Sequence, residues 1–305
     1  MLMAMFAIYL KAFRLPFLTG SLMPVFMAAA YAYGQTRTFD FKAFLLTVLG
    51  VAALHSGGNL LNDYYDSLGS DPLNVRFTPF SGGSRVIQDG ELSAATVRLL
   101  AYICLGVGVV CGAGLIYLGK YWVALIGLLG LGAAYLYSAA PVQLMSLGLG
   151  EATIFLAFGP ILTWGAHYVL TDSLAPVGLA LGLPLGFLIT AILWINEFPD
   201  VEADAAAGKN QLVVRLGLKR AAWVYAGLMS APFLSLFALM EGFGLPPHIL
   251  AGLAALPLAV RAIRAVRRTA PGSPEFVSIQ ALTIQTHVVM GLALNLSLLY
   301  AALRH

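Results

Sequence analysis

Residues 43–66 read AFLLTVLGVAALHSGGNLLNDYYD, an apolar run that ends in a cluster of carboxylates. A transmembrane helix needs about 20 mostly apolar residues, and residues 43–61 provide such a stretch. Asp63 and Asp66 follow directly, where the helix would reach the edge of the bilayer. The stretch therefore predicts a membrane helix with two carboxylates at its mouth.

The rest of the chain repeats this apolar pattern. We predict nine membrane spans, at approximately 15–34, 43–61, 97–117, 121–139, 149–170, 175–196, 221–241, 247–266 and 277–302. Of the 305 residues, 60% are hydrophobic and 10% are charged, and the mean hydropathy is +0.85. Soluble domains contain about 25% charged residues. The composition excludes a soluble globular enzyme, a disordered chain and a nucleic-acid-binding protein, so we expect an all-α polytopic membrane protein.

Basic residues are divided unevenly between the two sides that nine spans define. The N-terminus and the loops after spans 2, 4, 6 and 8 contain 13 of the 17 lysines and arginines, and the other side contains the remaining 4. Cytoplasmic loops are enriched in Lys and Arg. We therefore predict a multi-pass protein of the inner (cytoplasmic) membrane, with the N-terminus in the cytoplasm and the C-terminus outside.

Two acidic segments have the same pattern. Asn62-Asp-Tyr-Tyr-Asp66 ends span 2, and Asn196-Glu-Phe-Pro-Asp200 ends span 6, four spans later on the same side. We predict one membrane-embedded domain over 1–305, built from two parallel four-helix repeats at approximately 15–139 and 149–266, with a final helix at 277–302. Such repeats would bring the two acidic segments, and the cytoplasmic cap loops 2–3 and 6–7 that follow them, face to face across a central cavity.

The spacing of the carboxylates suits divalent cations. On a helix Asp63 and Asp66 project from one face, as do Asp200 and Asp204 if the helix continues through Pro199. Mg²⁺ prefers one or two carboxylates together with water and phosphate oxygens. Two opposed pairs therefore predict two Mg²⁺ ions with a diphosphate between them. The alternative, a solvated acidic helix end, explains one pair more readily than two matched pairs.

Other polar residues flank the carboxylates. His55, Asn59 and Asn62 lie on the helix face of Asp66, and we expect the two asparagines to face the cavity and His55 to make an interhelical hydrogen bond. Basic residues, the preferred partners of phosphate, follow each acidic segment: Arg76, Arg85, Lys209 and Arg215. Each of these cations is also explained by the general excess of positive charge on this side.

These motifs resemble those of the UbiA superfamily of membrane prenyltransferases. The first reads Asn62-Asp-x-x-Asp66 with Asp71 following, and the second reads Asp200-x-x-x-Asp204 followed by Ala-Gly-Lys209. Within that superfamily the chain is most similar to the 1,4-dihydroxy-2-naphthoate branch of menaquinone biosynthesis. That similarity rests on the tyrosines of the first motif, on residues 148–151 (GLGE) and on residues 158–160 (FGP).

The resemblance implies Mg²⁺-dependent transfer of a polyprenyl group from a polyprenyl diphosphate to an aromatic acceptor. In the naphthoate branch the prenyl group replaces a carboxylate; 4-hydroxybenzoate, homogentisate or a lipid alcohol are the alternative acceptors. Together with residue chemistry it implies five catalytic carboxylates: Asp63, Asp66, Asp71, Asp200 and Asp204. It implies a set of Mg²⁺ ligands: Asn62, Asp63, Asp66, Asp200 and Asp204. It also implies a set of substrate contacts: Asn59, Asn62, Arg76, Arg85, Tyr135, Glu151, Asn196, Lys209 and Arg215.

A cation-coupled transporter is the competing interpretation. Transporters place such acids near the bilayer midplane, at broken helices. Here both acidic segments lie at helix mouths beside cations suited to phosphate, which favours diphosphate chemistry. Beyond the bilayer and the two substrates, we expect no nucleic acid and no obligatory protein partner.

Overall fold

The computed structural model describes residues 2–304, with their side chains from residue 5 onwards, and this range contains helices and no strands. The first six α-helices are α1 Leu2–Ala12, α2 Thr19–Thr36, α3 Phe41–Ser67, α4 Ala94–Tyr117, α5 Val123–Leu136 and α6 Gly150–Phe158. The remaining six are α7 Pro160–Thr171, α8 Pro176–Leu181, α9 Leu183–Ala206, α10 Leu212–Phe243, α11 Leu256–Val266 and α12 Pro274–Arg304. The predicted all-α class is confirmed.

The helices group into membrane-crossing segments. In the described range, 8 segments are long and apolar enough to cross a membrane, and α5, with 14 residues, is shorter. At 1.5 Å per residue α5 extends about 21 Å, less than the bilayer core of about 30 Å. The chain is a multi-pass membrane protein, and the count of nine crossings stays a prediction.

Ion pairs hold the loops together at two opposite ends of the bundle. Lys11 Nζ, at the end of α1, lies 2.7 Å from a carboxylate oxygen of Glu91, just before α4. Lys120 Nζ, just after α4, lies 2.7 Å from a carboxylate oxygen of Asp172, at the end of α7. The first pair therefore lies at the end of the bundle where α3 finishes, and the second lies at the other end.

The largest apolar core lies among α9, α10 and α12. Leu188, Tyr225, Leu236 and Phe276 are fully buried there. Elsewhere large apolar side chains point outwards; Val110, for example, is 72% exposed. In a bilayer such outward-facing side chains contact acyl chains, so the apolar surface of this bundle suits lipid.

Two crossing segments are broken by glycine, and the breaks pack against each other. Gly159 separates α6 from α7, and Gly182 separates α8 from α9. A Cβ atom on Gly159 would lie 2.6 Å from the Cα atom of Gly186. Only glycine permits this approach of two backbones, which fixes α6 and α9 side by side.

Candidate active site

The ends of α3 and α9 bring the two acidic segments together. α3 remains helical to Ser67, and α9 remains helical to Ala206, continuing through Pro199. The helical spacing assumed for the second carboxylate pair is therefore confirmed. A polar cavity of about 120 Å³ lies between the two helix ends. It is lined by seven of the predicted site residues: Asn62, Asp66, Asp71, Asn196, Asp200, Asp204 and Lys209.

A buried ion-pair network joins the two segments across this cavity. The ammonium nitrogen of Lys209 lies 2.8 Å from Asp66 Oδ1 and 3.1 Å from Asp204 Oδ1. The other oxygen of Asp66 accepts a hydrogen bond from Asn62 Nδ2 at 3.0 Å. Because one cation bridges carboxylates of α3 and α9, the ends of these two helices are held next to each other.

Burial and charge shift the pKa of two groups in the loops beside the cavity. Burial raises the pKa of Asp71 to about 7, and the negative charges of Asp66 and Asp63 add to the rise. Burial alone would lower the pKa of Lys209, but the charges of Asp66 and Asp204 outweigh burial and raise that pKa. Lys209 is therefore cationic at neutral pH, whereas Asp71 is close to its titration midpoint.

A larger and mostly apolar cavity, of about 230 Å³, lies beside the polar one. The residues that line both cavities are Arg14, Asn62, Phe80, Tyr137, Leu193 and Asn196. Asn59 lines the apolar cavity, and its Nδ2 atom is buried without a hydrogen-bond partner in the described chain. His55 Nδ1 lies 2.8 Å from Ser21 Oγ of α2, which confirms the predicted interhelical hydrogen bond.

Asp63 lines neither cavity. It is 2% exposed, and its two oxygens lie 3.2 and 3.3 Å from the backbone nitrogen of Ser84, which donates to them. The loop reaches the carboxylate at Gly83, where a Cβ atom would lie 3.0 Å from Asp63 Oδ1. In this arrangement Asp63 holds the loop after α3, and the face of α3 that meets the cavity is that of Asn62 and Asp66.

Three of the four predicted phosphate-binding cations also lie outside the cavities. Arg76 pairs with Glu202 at 2.8 Å, and both side chains are exposed. The guanidinium carbon of Arg85 lies 3.9 Å from the ring centroid of Phe77. Arg215 donates to a backbone carbonyl of the loop before α6 at 2.8 Å. Of the four, the structure brings only Lys209 to the carboxylates.

Two further predicted site residues, Glu151 and Tyr135, make contacts outside the two cavities. Glu151 Oε1 accepts a hydrogen bond from the backbone nitrogen of Leu212 at 2.7 Å, so this carboxylate caps α10. Tyr135 packs in the cluster of Tyr65 and lines neither cavity. Tyr137, two residues later, lines both.

Some cavity residues were not predicted from the sequence. Asn74 Nδ2 donates to Asp200 Oδ1 at 2.8 Å, and Arg14 lines both cavities from a left-handed backbone conformation with φ 50°. Ser70, Glu197 and Gln211 also line the polar cavity. Asn74 follows Asp71 by three residues in the loop after α3. This closeness in sequence to the first motif could have indicated that Asn74 belongs to the site. Arg14 counted in the sequence only towards the charge bias.

The sequence pattern of the UbiA prenyltransferase family matches residues 21–283. The chain belongs to this family. Membership confirms the predicted enzyme class, a prenyltransferase. This UbiA-family protein is 31% identical over 266 residues to a 1,4-dihydroxy-2-naphthoate octaprenyltransferase of Mycobacterium tuberculosis, covering 87% of this chain and 88% of that one. It is 30% identical over 228 residues to a UbiA prenyltransferase domain-containing protein 1 of Dictyostelium discoideum, covering 73% and 68% respectively.

Solved structures share the fold of this UbiA-family protein. A UbiA homologue from Aeropyrum pernix superimposes with a TM-score of 0.68 at 15% identity, covering 90% of this chain and 96% of that one. A UbiA homologue from Archaeoglobus fulgidus bound to DMAPP and Mg²⁺ superimposes with a TM-score of 0.63 at 19% identity, covering 92% and 98%. The helical arrangement described above is thus a UbiA fold.

Proposed function

We propose that this prenyltransferase uses Mg²⁺ to transfer a polyprenyl group from a polyprenyl diphosphate to 1,4-dihydroxy-2-naphthoate. The proposal rests on one observation, the shared wall between the carboxylate-lined cavity and the apolar cavity. A diphosphate needs cations around it, and a prenyl chain needs apolar surroundings. The two adjoining spaces suit the two ends of one such substrate.

The side-chain oxygens that line the polar cavity suit Mg²⁺ as ligands. Asp66, Asp200 and Asp204 offer carboxylate oxygens, and Asn62 offers an amide oxygen, which are the hard ligands this ion prefers. Mg²⁺ held there would stabilise the negative charge that develops on the leaving diphosphate. The expectation of two ions stays a prediction. Asp63 as a ligand also stays a prediction, and that role would require its contact with Ser84 to break.

The chain's own groups would then position the reacting ends. Arg14 and Lys209 line the polar cavity and can donate to diphosphate oxygens. When the allylic C–O bond breaks, its electron pair stays with the diphosphate. The electron-rich ring then forms the new C–C bond, and the acceptor's carboxylate leaves as carbon dioxide. Phe80 and Tyr137 line both cavities, and the face of an aromatic ring there would stabilise the allylic cation.

The choice of acceptor is supported by relatives. The Mycobacterium tuberculosis protein and a Bacillus subtilis protein, 24% identical over 287 residues, are both named 1,4-dihydroxy-2-naphthoate octaprenyltransferase. The use of a prenyl diphosphate as the donor substrate is supported by the Archaeoglobus fulgidus homologues, which were solved with DMAPP and Mg²⁺ and with GPP and Mg²⁺. Other UbiA acceptors, such as 4-hydroxybenzoate, remain the alternative.

Purified protein in detergent tests the proposal. It is incubated with Mg²⁺, polyprenyl diphosphates of several lengths, and either the naphthoate, 4-hydroxybenzoate or homogentisate. We expect a prenylated naphthalenediol with release of carbon dioxide and pyrophosphate, and no product when EDTA replaces Mg²⁺. Product with only another acceptor would refute the naphthoate assignment. No product with any acceptor from correctly folded protein would refute the whole proposal.

A further inference from the structure

The ammonium group of Lys209 occupies a place that a metal ion would also favour. It lies within 3.1 Å of one oxygen from each of Asp66 and Asp204, and all three side chains are at most 16% exposed. These are carboxylates from the two facing helix ends. An ion that ligated the same two oxygens would have the ammonium as a direct competitor.

The backbone of Lys209 is held in a turn that does not involve its side chain. α9 ends at Ala206, Gly208 takes a positive φ of 76°, and the backbone nitrogen of Lys209 donates to the carbonyl of Asp204 at 2.9 Å. The segment is thus attached to the helix that carries Asp204. The long alkyl chain of a lysine has several rotatable bonds, so the ammonium can leave the carboxylates without any change in this turn.

Competition follows from the size and charge of the two cations. Mg²⁺ binds carboxylate oxygens at about 2.0–2.1 Å, and two positive charges held by the same pair of oxygens repel each other. In the described chain, Asp66 of α3 and Asp204 of α9 each place one oxygen beside the ammonium, whereas Asp200 accepts a hydrogen bond from Asn74.

We infer that Lys209 is an exchangeable counter-ion: it neutralises Asp66 and Asp204 in the free enzyme and moves to the diphosphate when Mg²⁺ takes its place. The inference rests on the proposed function. Lys209 lines the polar cavity together with both carboxylates, so a diphosphate there would be within reach of the displaced ammonium. As a consequence, the free enzyme binds divalent cations weakly, and cation and diphosphate bind cooperatively.

Binding of Mn²⁺ alone, followed by electron paramagnetic resonance on the full chain in detergent, tests this inference without any transfer reaction. In the absence of diphosphate we expect Lys209→Gln to bind Mn²⁺ at least about tenfold more tightly than the wild type, because the metal no longer has to displace the ammonium; tenfold corresponds to about 1.4 kcal/mol. Mg²⁺ should displace the bound Mn²⁺. The matched control is Lys219→Gln, because Lys219 is an exposed lysine on α10; its affinity should equal that of the wild type.

Inorganic pyrophosphate supplies the second measurement. It should tighten Mn²⁺ binding by the wild type and do so much less in Lys209→Gln, because that variant has no ammonium to transfer. Equal or weaker Mn²⁺ binding by Lys209→Gln would overturn the inference. If the wild type still released pyrophosphate from a prenyl diphosphate, the proposed function would survive that result.

Lys209→Met, of nearly the same length, is the second variant if Lys209→Gln folds poorly. A variant that folds only when Mn²⁺ is present would support the inference, because the metal then replaces the ammonium. A variant that folds neither with nor without Mn²⁺ would contradict it, because the metal then fails to neutralise the two carboxylates.

Discussion

Asp63 and Asp66 are three residues apart in sequence, yet their carboxylates contact different parts of the structure. Asp66 faces the polar cavity and pairs with Lys209, whereas Asp63 accepts hydrogen bonds from the backbone of Ser84. The sequence predicts the helix and the acidic cluster, because both depend on local pattern. It does not predict which carboxylate meets the loop, because that depends on how residues 81–84 fold back over α3.

Replacing Asp63 tests this division of roles. Asp63→Ala leaves the buried backbone nitrogen of Ser84 without an acceptor, which costs about 1–3 kcal/mol of unfolding free energy. We expect this loss in chemical denaturation of the detergent-solubilised protein. Glu241→Ala is the control, because the exposed Glu241 makes no hydrogen bond or ion pair with the residues described. Unchanged stability of Asp63→Ala would contradict the anchoring role.

The pKa of Asp71 predicts a pH dependence of stability in the metal-free protein. Because burial raises this pKa to about 7, above about 3.9 for an unfolded chain, the native state binds more protons between these values. Stability should therefore fall as the pH rises from about 4 to about 7. Denaturation midpoints measured in EDTA at several pH values should decline less in Asp71→Asn. An identical decline in both proteins would refute the raised pKa.

At the scale of elements, apolar length and composition predicted the eight segments that are long and apolar enough to cross a membrane, whereas the predicted span at 121–139 corresponds to the shorter α5. The helix ends were harder to predict. α9 continues through Pro199 to Ala206, and a helical turn begins at Leu212, before the predicted start of span 7. Polar residues at a helix mouth end the hydropathy signal before the helix ends. The extra turns present Asp200 and Asp204 to the cavity, so the functional part of α9 lies beyond its most apolar part.

Gly83 and Gly90, in the loop between α3 and α4, share a left-handed backbone but have different surroundings. Gly83 has φ 75°, and a Cβ atom there would approach Asp63 Oδ1 to 3.0 Å; Gly90 has φ 68° with open space around it. Alanine at either position costs roughly 1–2 kcal/mol for the left-handed backbone. We expect Gly83→Ala to lose more unfolding free energy than Gly90→Ala in denaturation, because it also disturbs Asp63. Equal losses would show that the contact is unimportant.

At the scale of the whole molecule, the fold class and the family followed from the chain's composition and its two motifs. The two four-helix repeats and the nine crossings stay predictions. The cavity could not be derived from the sequence alone, because Arg14, Asn74 and Tyr137 reach it from three separate connections between helices. These three residues line the cavity only because segments that are far apart in the sequence pack together in the fold.

Membrane topology is the prediction that belongs to this scale. We propose that the protein lies in the cytoplasmic membrane with its N-terminus inside and its C-terminus outside, since nine crossings place the termini on opposite sides. An alkaline phosphatase domain fused after residue 305 should be active in a bacterial host, and a fusion within the loop before α10 should be inactive. An inactive C-terminal fusion would favour eight crossings, with α5 not spanning the bilayer.

The central claim is that the carboxylates of α3 and α9 act together on a prenyl diphosphate. The most direct measurement is Mg²⁺-dependent pyrophosphate release by the wild type, Asp66→Ala and Asp200→Ala, each inserted in membranes to the same level. The account predicts release by the wild type and a loss of at least about 100-fold in each variant, because each removes charge stabilisation at the reacting centre. Wild-type rates in either variant would contradict it.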